Sequence, residues 1–110
     1  MSLSTHVLDT ARGVPAEAIT VHLVHLVGDM RLEVASDVTN ADGRIASPFG
    51  GELAAGWYEL TFAAGAYFAK TGTPSFYDEI PIRFRIDADV KHYHVPLLLA
   101  PWAYSTYRGS

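Results

Sequence analysis

The 110-residue chain reads as all-β, a single antiparallel β-sandwich of seven to eight strands with one short helix. Three observations predict this. Apolar and polar residues alternate with period two over most of the chain, which is the repeat of a strand with one buried face. Glycine, proline and Asn/Asp turns interrupt the alternation every ten residues or so, the spacing of short sandwich strands. One stretch alone abandons the alternation in a way that suits a helix.

Leu3 to Asp9 forms the first predicted strand, closed by Arg12, Gly13 and the rigid Pro15. Ile19 to Val27 places Ile19, Val21, Leu23, His25 and Val27 on one face and Thr20, His22, Val24 and Leu26 on the other. Gly28-Asp29 turns the chain into Arg31 to Val38. In Asn40-Ala41-Asp42-Gly43, a tight turn is predicted with Asp42 as the side-chain cap and Gly43 at positive φ, and Arg44 emerges directly from it. Ile45 to Pro48 is a brief edge segment, and Gly50-Gly51 a loop. Trp57 to Phe62 buries Tyr58, Leu60 and Phe62 and turns Trp57, Glu59 and Thr61 outward. Between Ala63 and Gly72 the run Ala64, Ala66, Phe68, Ala69, Lys70 suits one or two helical turns stopped by Gly72. Period two returns in Glu79 to Ile86, with Ile80, Ile82, Phe84 and Ile86 inward, then His92 to Leu99 and Tyr104 to Ser110 complete the set.

Residues 1–110 are read as one domain, with no internal repeat, linker or low-complexity segment. The length supports a hydrophobic core but not a separate substrate domain, so a deep site is expected between subunits. Hydrophobic residues make up 49% of the chain and charged ones 18%, a low charge content that points to surface covered by a partner. The net charge of -4 and the absence of a lysine-rich run argue against nucleic acid and anionic membranes as partners. Cysteine is absent, which removes disulfides and a thiol nucleophile. No basic-plus-apolar leader precedes His6 and no apolar run is long enough to span a bilayer, so a soluble, cytoplasmic chain is expected.

Of the five histidines, His6 lies in the first strand and His92 and His94 in the penultimate one. Alternation puts His92, His94 and Pro96 on one face and sends Tyr93, Val95 and Leu97 to the core. His94 therefore faces away from the core, where an imidazole titrating near neutrality suits a general base. His22 and His25 read as ordinary hydrogen-bonded surface or interface histidines. Three imidazoles from His6, His92 and His94 raise the question of zinc, but His-x-His without a matching carboxylate is a weak signal, and no metal is expected. The G-x-S-x-G elbow is absent. Asp78 and Glu79 are adjacent in sequence and face opposite ways on a strand, which excludes a glycosidase-type pair. The chain closes on Tyr107, Arg108, Gly109 and Ser110, and this polar tail reads as tied down rather than frayed.

Taken together, Leu3-Ser4-Thr5-His6-Val7-Leu8-Asp9, Thr39-Asn40-x-Asp42-Gly43-Arg44, and His92-Tyr93-His94-Val95-Pro96-Leu97-Leu98-Leu99 running into Tyr104-Ser105-Thr106-Tyr107-Arg108-Gly109-Ser110 closely resemble the 5-hydroxyisourate hydrolase family of transthyretin-like proteins. The resemblance spans essentially the whole chain, and the terminal Tyr-Arg-Gly-Ser distinguishes the hydrolases from transthyretin, which binds thyroid hormone and lacks it. Departures fall at Ala100, at Trp102-Ala103 and at Asp78, none of them a family catalytic position.

The resemblance implies the transthyretin-like (prealbumin-like) sandwich, assembled as a homotetramer, a dimer of dimers with active sites at the mouths of a central channel. It implies His6, Arg44 and His94 as catalytic residues and Tyr107, Arg108, Gly109 and Ser110 as substrate-binding residues, with no metal and no cofactor. The implied substrate is 5-hydroxyisourate, a small molecule whose six-membered ring is opened by hydrolysis of its N1–C6 amide bond. A transthyretin-like carrier is the alternative. It needs an open apolar passage that Tyr107 and a charged mouth would obstruct. A purely structural sandwich would leave the histidine and arginine positions without a purpose.

Overall fold

In the computed structural model, which describes residues 1–109, the alternating segments become nine strands and one helix: β1 Ser2–Asp9, β2 Val14–Pro15, β3 Thr20–Val27, β4 Met30–Val38, β5 Arg44–Ile45, β6 Gly56–Ala63, α1 Ala64–Ala69, β7 Glu79–Ile86, β8 His92–Leu99 and β9 Tyr104–Thr106. Seven strands are longer than two residues; β2 and β5 are two-residue pieces.

One sheet runs β2-β1-β8-β9, with β5 also paired to β1, and the other runs β4-β3-β6-β7. Leu3 and Val7 from β1, Val21 and Leu23 from β3, Leu60 and Phe62 from β6 and Leu97 and Leu99 from β8 are sealed between them. Burying apolar surface of this kind stabilises the sandwich by about 25 cal/mol per Å² removed from water.

Neighbouring strands are antiparallel except β1 and β8, which run parallel in the register Ser2↔His92, Ser4↔His94, His6↔Pro96. A parallel pair needs a long crossover. Here the whole second sheet supplies it, because β1 opens the chain and β8 comes near its end. The expected antiparallel pattern thus gives way at one seam, and that seam carries the histidines.

Local chemistry fixes the turns beside it. The Asn40–Gly43 turn forms as expected, with Gly43 at φ 74°, where a Cβ would come within 2.4 Å of the Val7 carbonyl oxygen. The cap differs from expectation: Asn40 Oδ1, not Asp42, accepts the amides of Asp42 at 2.9 Å and Arg44 at 3.0 Å. The first residue of an Asx-turn reaches forward to bond the amide two residues on, and Asn40 holds that place. Asp9, buried at the end of β1, accepts the Ala11 and Arg12 amides and the Tyr67 hydroxyl, which compensates the burial of its charge.

The helix α1 lies where the alternation fails, buries Ala64 and Phe68, and stops before Gly72 at φ 65°. Strand β7 departs in part from expectation. Ile80 and Ile86 are buried, but Ile82 and Phe84 are half-buried, because β7 is an edge strand facing a cavity of about 220 Å³ that Tyr93, Val95, Tyr107 and Arg108 also line. On the outer face of β6, Glu59 is buried beneath Arg31 and Arg83, and its hydrogen bond from Arg31 holds its carboxyl below the usual range. No helix among the described residues is long and apolar enough to cross a membrane.

Candidate active site

The first three outward residues of β1 are polar: Ser2, Ser4 and His6 alternate with the buried Leu3, Thr5 and Val7. Parallel pairing lays His92 beside Ser2 and His94 beside Ser4. Antiparallel pairing of β5 on the other edge lays Arg44 beside His6. Three segments far apart in sequence therefore contribute to one polar strip on the outer face of the first sheet. The Asn40 turn positions Arg44, because β5 begins directly from the amide that Asn40 holds.

Within the strip, His6 Nε2 lies 2.9 Å from the Asp42 carbonyl oxygen. A carbonyl can only accept, so in the neutral ring Nε2 carries the proton and Nδ1 keeps its lone pair. His94 Nδ1 is 2.8 Å from Ser4 Oγ, and the same oxygen is 3.2 Å from His92 Nε2. His92 Nδ1 is in turn 2.9 Å from Ser2 Oγ. Gly109 closes the strip, its amide donating to the His94 carbonyl at 2.8 Å. A Cβ there would stand 2.7 Å from His94 Cδ2, so glycine is what lets the tail approach the ring.

Burial and charge act in the same direction on both imidazoles. The pKa of His6 is lowered, first by desolvation and then by the Arg44 guanidinium, with the Asp42 carbonyl opposing. That of His94 is lowered by desolvation, then by Arg44, His6 and His92, while hydrogen bonding to the Ser4 backbone opposes the fall. Among the described residues Arg44 has no carboxylate in ion-pair contact, so its charge is felt by both rings. Two imidazoles of lowered pKa and a guanidinium on one face are the elements of base-assisted attack by water with a cation ready for an oxyanion.

Of the residues singled out from sequence, His6, Arg44, His94 and Gly109 come together. The side chains of Tyr107 and Arg108 do not join them. Both line the cavity against β7, and the Arg108 guanidinium lies 4.7 Å from the centre of the Tyr93 ring, on the opposite face of β8 from His94. Ser110 lies outside the described residues. His22 pairs with Glu33, the hydrogen-bonded surface role expected of it, whereas His25 stacks on Tyr58. No group of three or more histidine, cysteine or acidic side chains among the described residues is arranged to hold a metal ion. Ser4 separates His92 from His94 instead of leaving them to converge.

Ser4, Ser2 and the Asn40 cap are the parts that sequence reasoning missed. Ser4 and His6 share a face by their spacing, but a link from Ser4 to His92 and His94 needs the β1–β8 register, which no local pattern discloses.

The HIUase/Transthyretin family matches residues 3–109. The chain is 51% identical to a 5-hydroxyisourate hydrolase of Mesorhizobium japonicum, over 98% of this chain and 91% of that protein. Among solved structures, the 5-hydroxyisourate hydrolase of Klebsiella pneumoniae superposes with a TM-score of 0.88 at 46% identity, covering all of both chains. Sea bream transthyretin in complex with thyroxine superposes at 0.92 with only 27% identity, over 99% of this chain and 95% of that one. Backbone likeness thus does not separate the two branches, whereas sequence likeness favours the hydrolases. With its match running along almost its full length, the chain belongs to the HIUase/Transthyretin family.

Proposed function

We propose that this chain hydrolyses 5-hydroxyisourate, opening the six-membered ring at the N1–C6 amide bond to give 2-oxo-4-hydroxy-4-carboxy-5-ureidoimidazoline in urate breakdown. The observation that carries the proposal is the meeting of His6, Arg44 and His94 on one sheet face, with both imidazoles kept neutral. One neutral imidazole takes a proton from water as its oxygen attacks the C6 carbonyl, and the proton gained is then returned to the departing nitrogen, with the second imidazole beside it in the site. Arg44 orients the planar edge of the substrate through its fork of N–H donors and stabilises the oxyanion. Gly109 brings the end of the described chain to His94. No metal or cofactor takes part in this scheme.

The working unit is a homotetramer. Strands β7 and β9 are free edges, and Tyr104, Tyr107, Phe76 and Trp102 are exposed near them or in the loops leading to them. The imidazoles lie on an open face in one copy, and a second copy facing it supplies the walls that exclude water. Sedimentation of the native protein is expected to give four copies.

The activity is tested by following ultraviolet loss of freshly generated 5-hydroxyisourate. Because the compound also decays spontaneously, acceleration in proportion to protein concentration is the expected result, and a rate equal to the blank overturns the proposal. A carrier of the transthyretin kind would bind a hydrophobic hormone without consuming this substrate.

A further inference from the structure

We propose that Ser4 and His92 form a proton relay behind His94, Ser4 positioning the ring and His92 taking the positive charge away from Arg44. The proposal rests on the hydrolase reading. Its geometric basis is a continuous line of hydrogen-bonding atoms, Ser2 Oγ to His92 Nδ1 at 2.9 Å, His92 Nε2 to Ser4 Oγ at 3.2 Å, and Ser4 Oγ to His94 Nδ1 at 2.8 Å.

A serine hydroxyl has one proton, so Ser4 accepts from one of its two imidazoles and donates to the other. When His94 Nδ1–H donates to Ser4, the Ser4 hydroxyl donates to His92 Nε2, His92 Nδ1–H donates to Ser2, and His94 Nε2 presents its lone pair. His94 Nε2 has no hydrogen-bond partner among the described residues, leaving it for water.

The transfer is balanced atom by atom. His94 Nε2 takes a proton from water while the water oxygen bonds to the substrate carbonyl carbon. The Nδ1 proton of His94 passes to Ser4 Oγ as the Ser4 proton passes to His92 Nε2. His94 ends neutral, Ser4 is again a hydroxyl, and His92 is an imidazolium with both nitrogens protonated. When the C6–N1 bond breaks, the same path run backwards returns the proton to the leaving nitrogen.

Electrostatics gives the relay its direction. His94 is half-buried and is faced by His6 and Ser4 from β1, by Arg44 from β5, by Gly109 from the tail and by His92 on its own strand, with the Asp42 carbonyl bound to His6. A proton held on His94 sits near the Arg44 guanidinium, which has no ion-pair partner among the described residues. His92 is exposed and stands about 7 Å further along β8 than His94, on the side away from the His6–Arg44 pair. The charges nearest its end of the strip are Lys91 next in the chain and the Met1 ammonium, which Glu52 neutralises. Charge on His92 meets water and stands further from Arg44 than charge on His94.

The test compares Ser4→Ala, which cuts both links, Ser4→Thr, which keeps the hydroxyl, and His92→Gln in the full-length protein. The relay predicts that Ser4→Ala and His92→Gln lose at least about tenfold in kcat with little change in KM, that free imidazole in the buffer restores part of the His92→Gln loss, and that Ser4→Thr keeps most of the rate. Nitrogen-15 spectra of His94 are expected to shift from the Nδ1–H form towards the other tautomer in Ser4→Ala. Wild-type kcat at every pH in both Ser4→Ala and His92→Gln overturns the relay, as does a loss that buffer imidazole leaves untouched. Should the wild type itself fail to consume 5-hydroxyisourate, the hydrolase reading falls separately. The spectra then decide the wire alone, and unchanged His92 and His94 signals in Ser4→Ala contradict it.

Discussion

Gly109 lies directly on the imidazole of His94, with its amide bonded to the His94 carbonyl at 2.8 Å and room for no further atom: a Cβ would meet His94 Cδ2 at 2.7 Å and the carbonyl oxygen at 3.2 Å. The last turn of the chain and the proposed base therefore cannot be adjusted independently. Gly109→Ala is expected to push the ring or the tail aside by a few tenths of an ångström or more and to lower kcat/KM by about tenfold to a hundredfold, as misplacement on that scale does. The melting temperature should barely move, because Gly109 is outside the core. Activity and thermal unfolding measured on the same preparation check this, and a wild-type rate would show that the contact is incidental.

The imidazoles set the pH dependence. Their lowered pKa values keep the base form populated below 6.5, so the acid limb of kcat/KM is expected on the acid side of an ordinary histidine. Arg44→Gln removes one cause of the depression, and the titration of His6 and His94 should then rise. The effect on folding has a definite sign. A histidine whose folded pKa is depressed binds its proton more readily when unfolded, so its contribution to stability is complete above 6.5 and is lost as pH falls below that value. Proton NMR titration of the two rings in wild type and Arg44→Gln reads both shifts. An unchanged titration in the variant would remove Arg44 from the account.

Asn40 holds the turn that delivers Arg44. Replacing it with alanine leaves the Asp42 and Arg44 amides without their acceptor and is expected to cost about 1 kcal/mol of stability. Activity should fall further than that figure alone explains, because the guanidinium is no longer held beside His6. Asp42→Ala removes no such acceptor and should leave the turn intact. Paired urea melts and rate measurements on the two variants distinguish the roles.

Glu59 makes a separate prediction far from the site. Arg31, and then Arg83, hold its carboxyl below the ordinary value of 4.5, so this contribution to stability is present above 4.5 and is lost as pH falls through the depressed value. Glu59→Gln should therefore be less stable than wild type at neutral pH and lose less on acidification. Calorimetry at neutral pH and below 4.5 tests it; parallel loss in both proteins would contradict the ion-pair explanation.

The sandwich was legible because alternation and turn residues are local signals, and a strand such as Trp57 to Phe62 declares its buried face without any partner. The short helix was legible for the same reason. Ile82 and Phe84 read as core like their neighbours, since nothing local tells an edge strand beside a cavity from a central one. His6, Arg44 and His94 stood out by residue type and by family resemblance, yet their juxtaposition depends on two strand pairings, β1 with β5 and β1 with β8, that join residues about forty and ninety positions apart. Long-range register is set by how whole sheets close over a core, which no short pattern encodes. Ser4 shows the consequence: unremarked in a polar-apolar alternation, it becomes the link between two imidazoles only when β8 lies alongside.

The central claim is that His6, Arg44 and His94 act on one substrate as one site. The most direct measurement is the initial rate of loss of fresh 5-hydroxyisourate, corrected for spontaneous decay, with wild type, Arg44→Ala and His94→Ala, each verified as folded by circular dichroism. The account predicts a loss of about a hundredfold or more in either variant. Near-normal turnover by a folded Arg44→Ala or His94→Ala protein would contradict it.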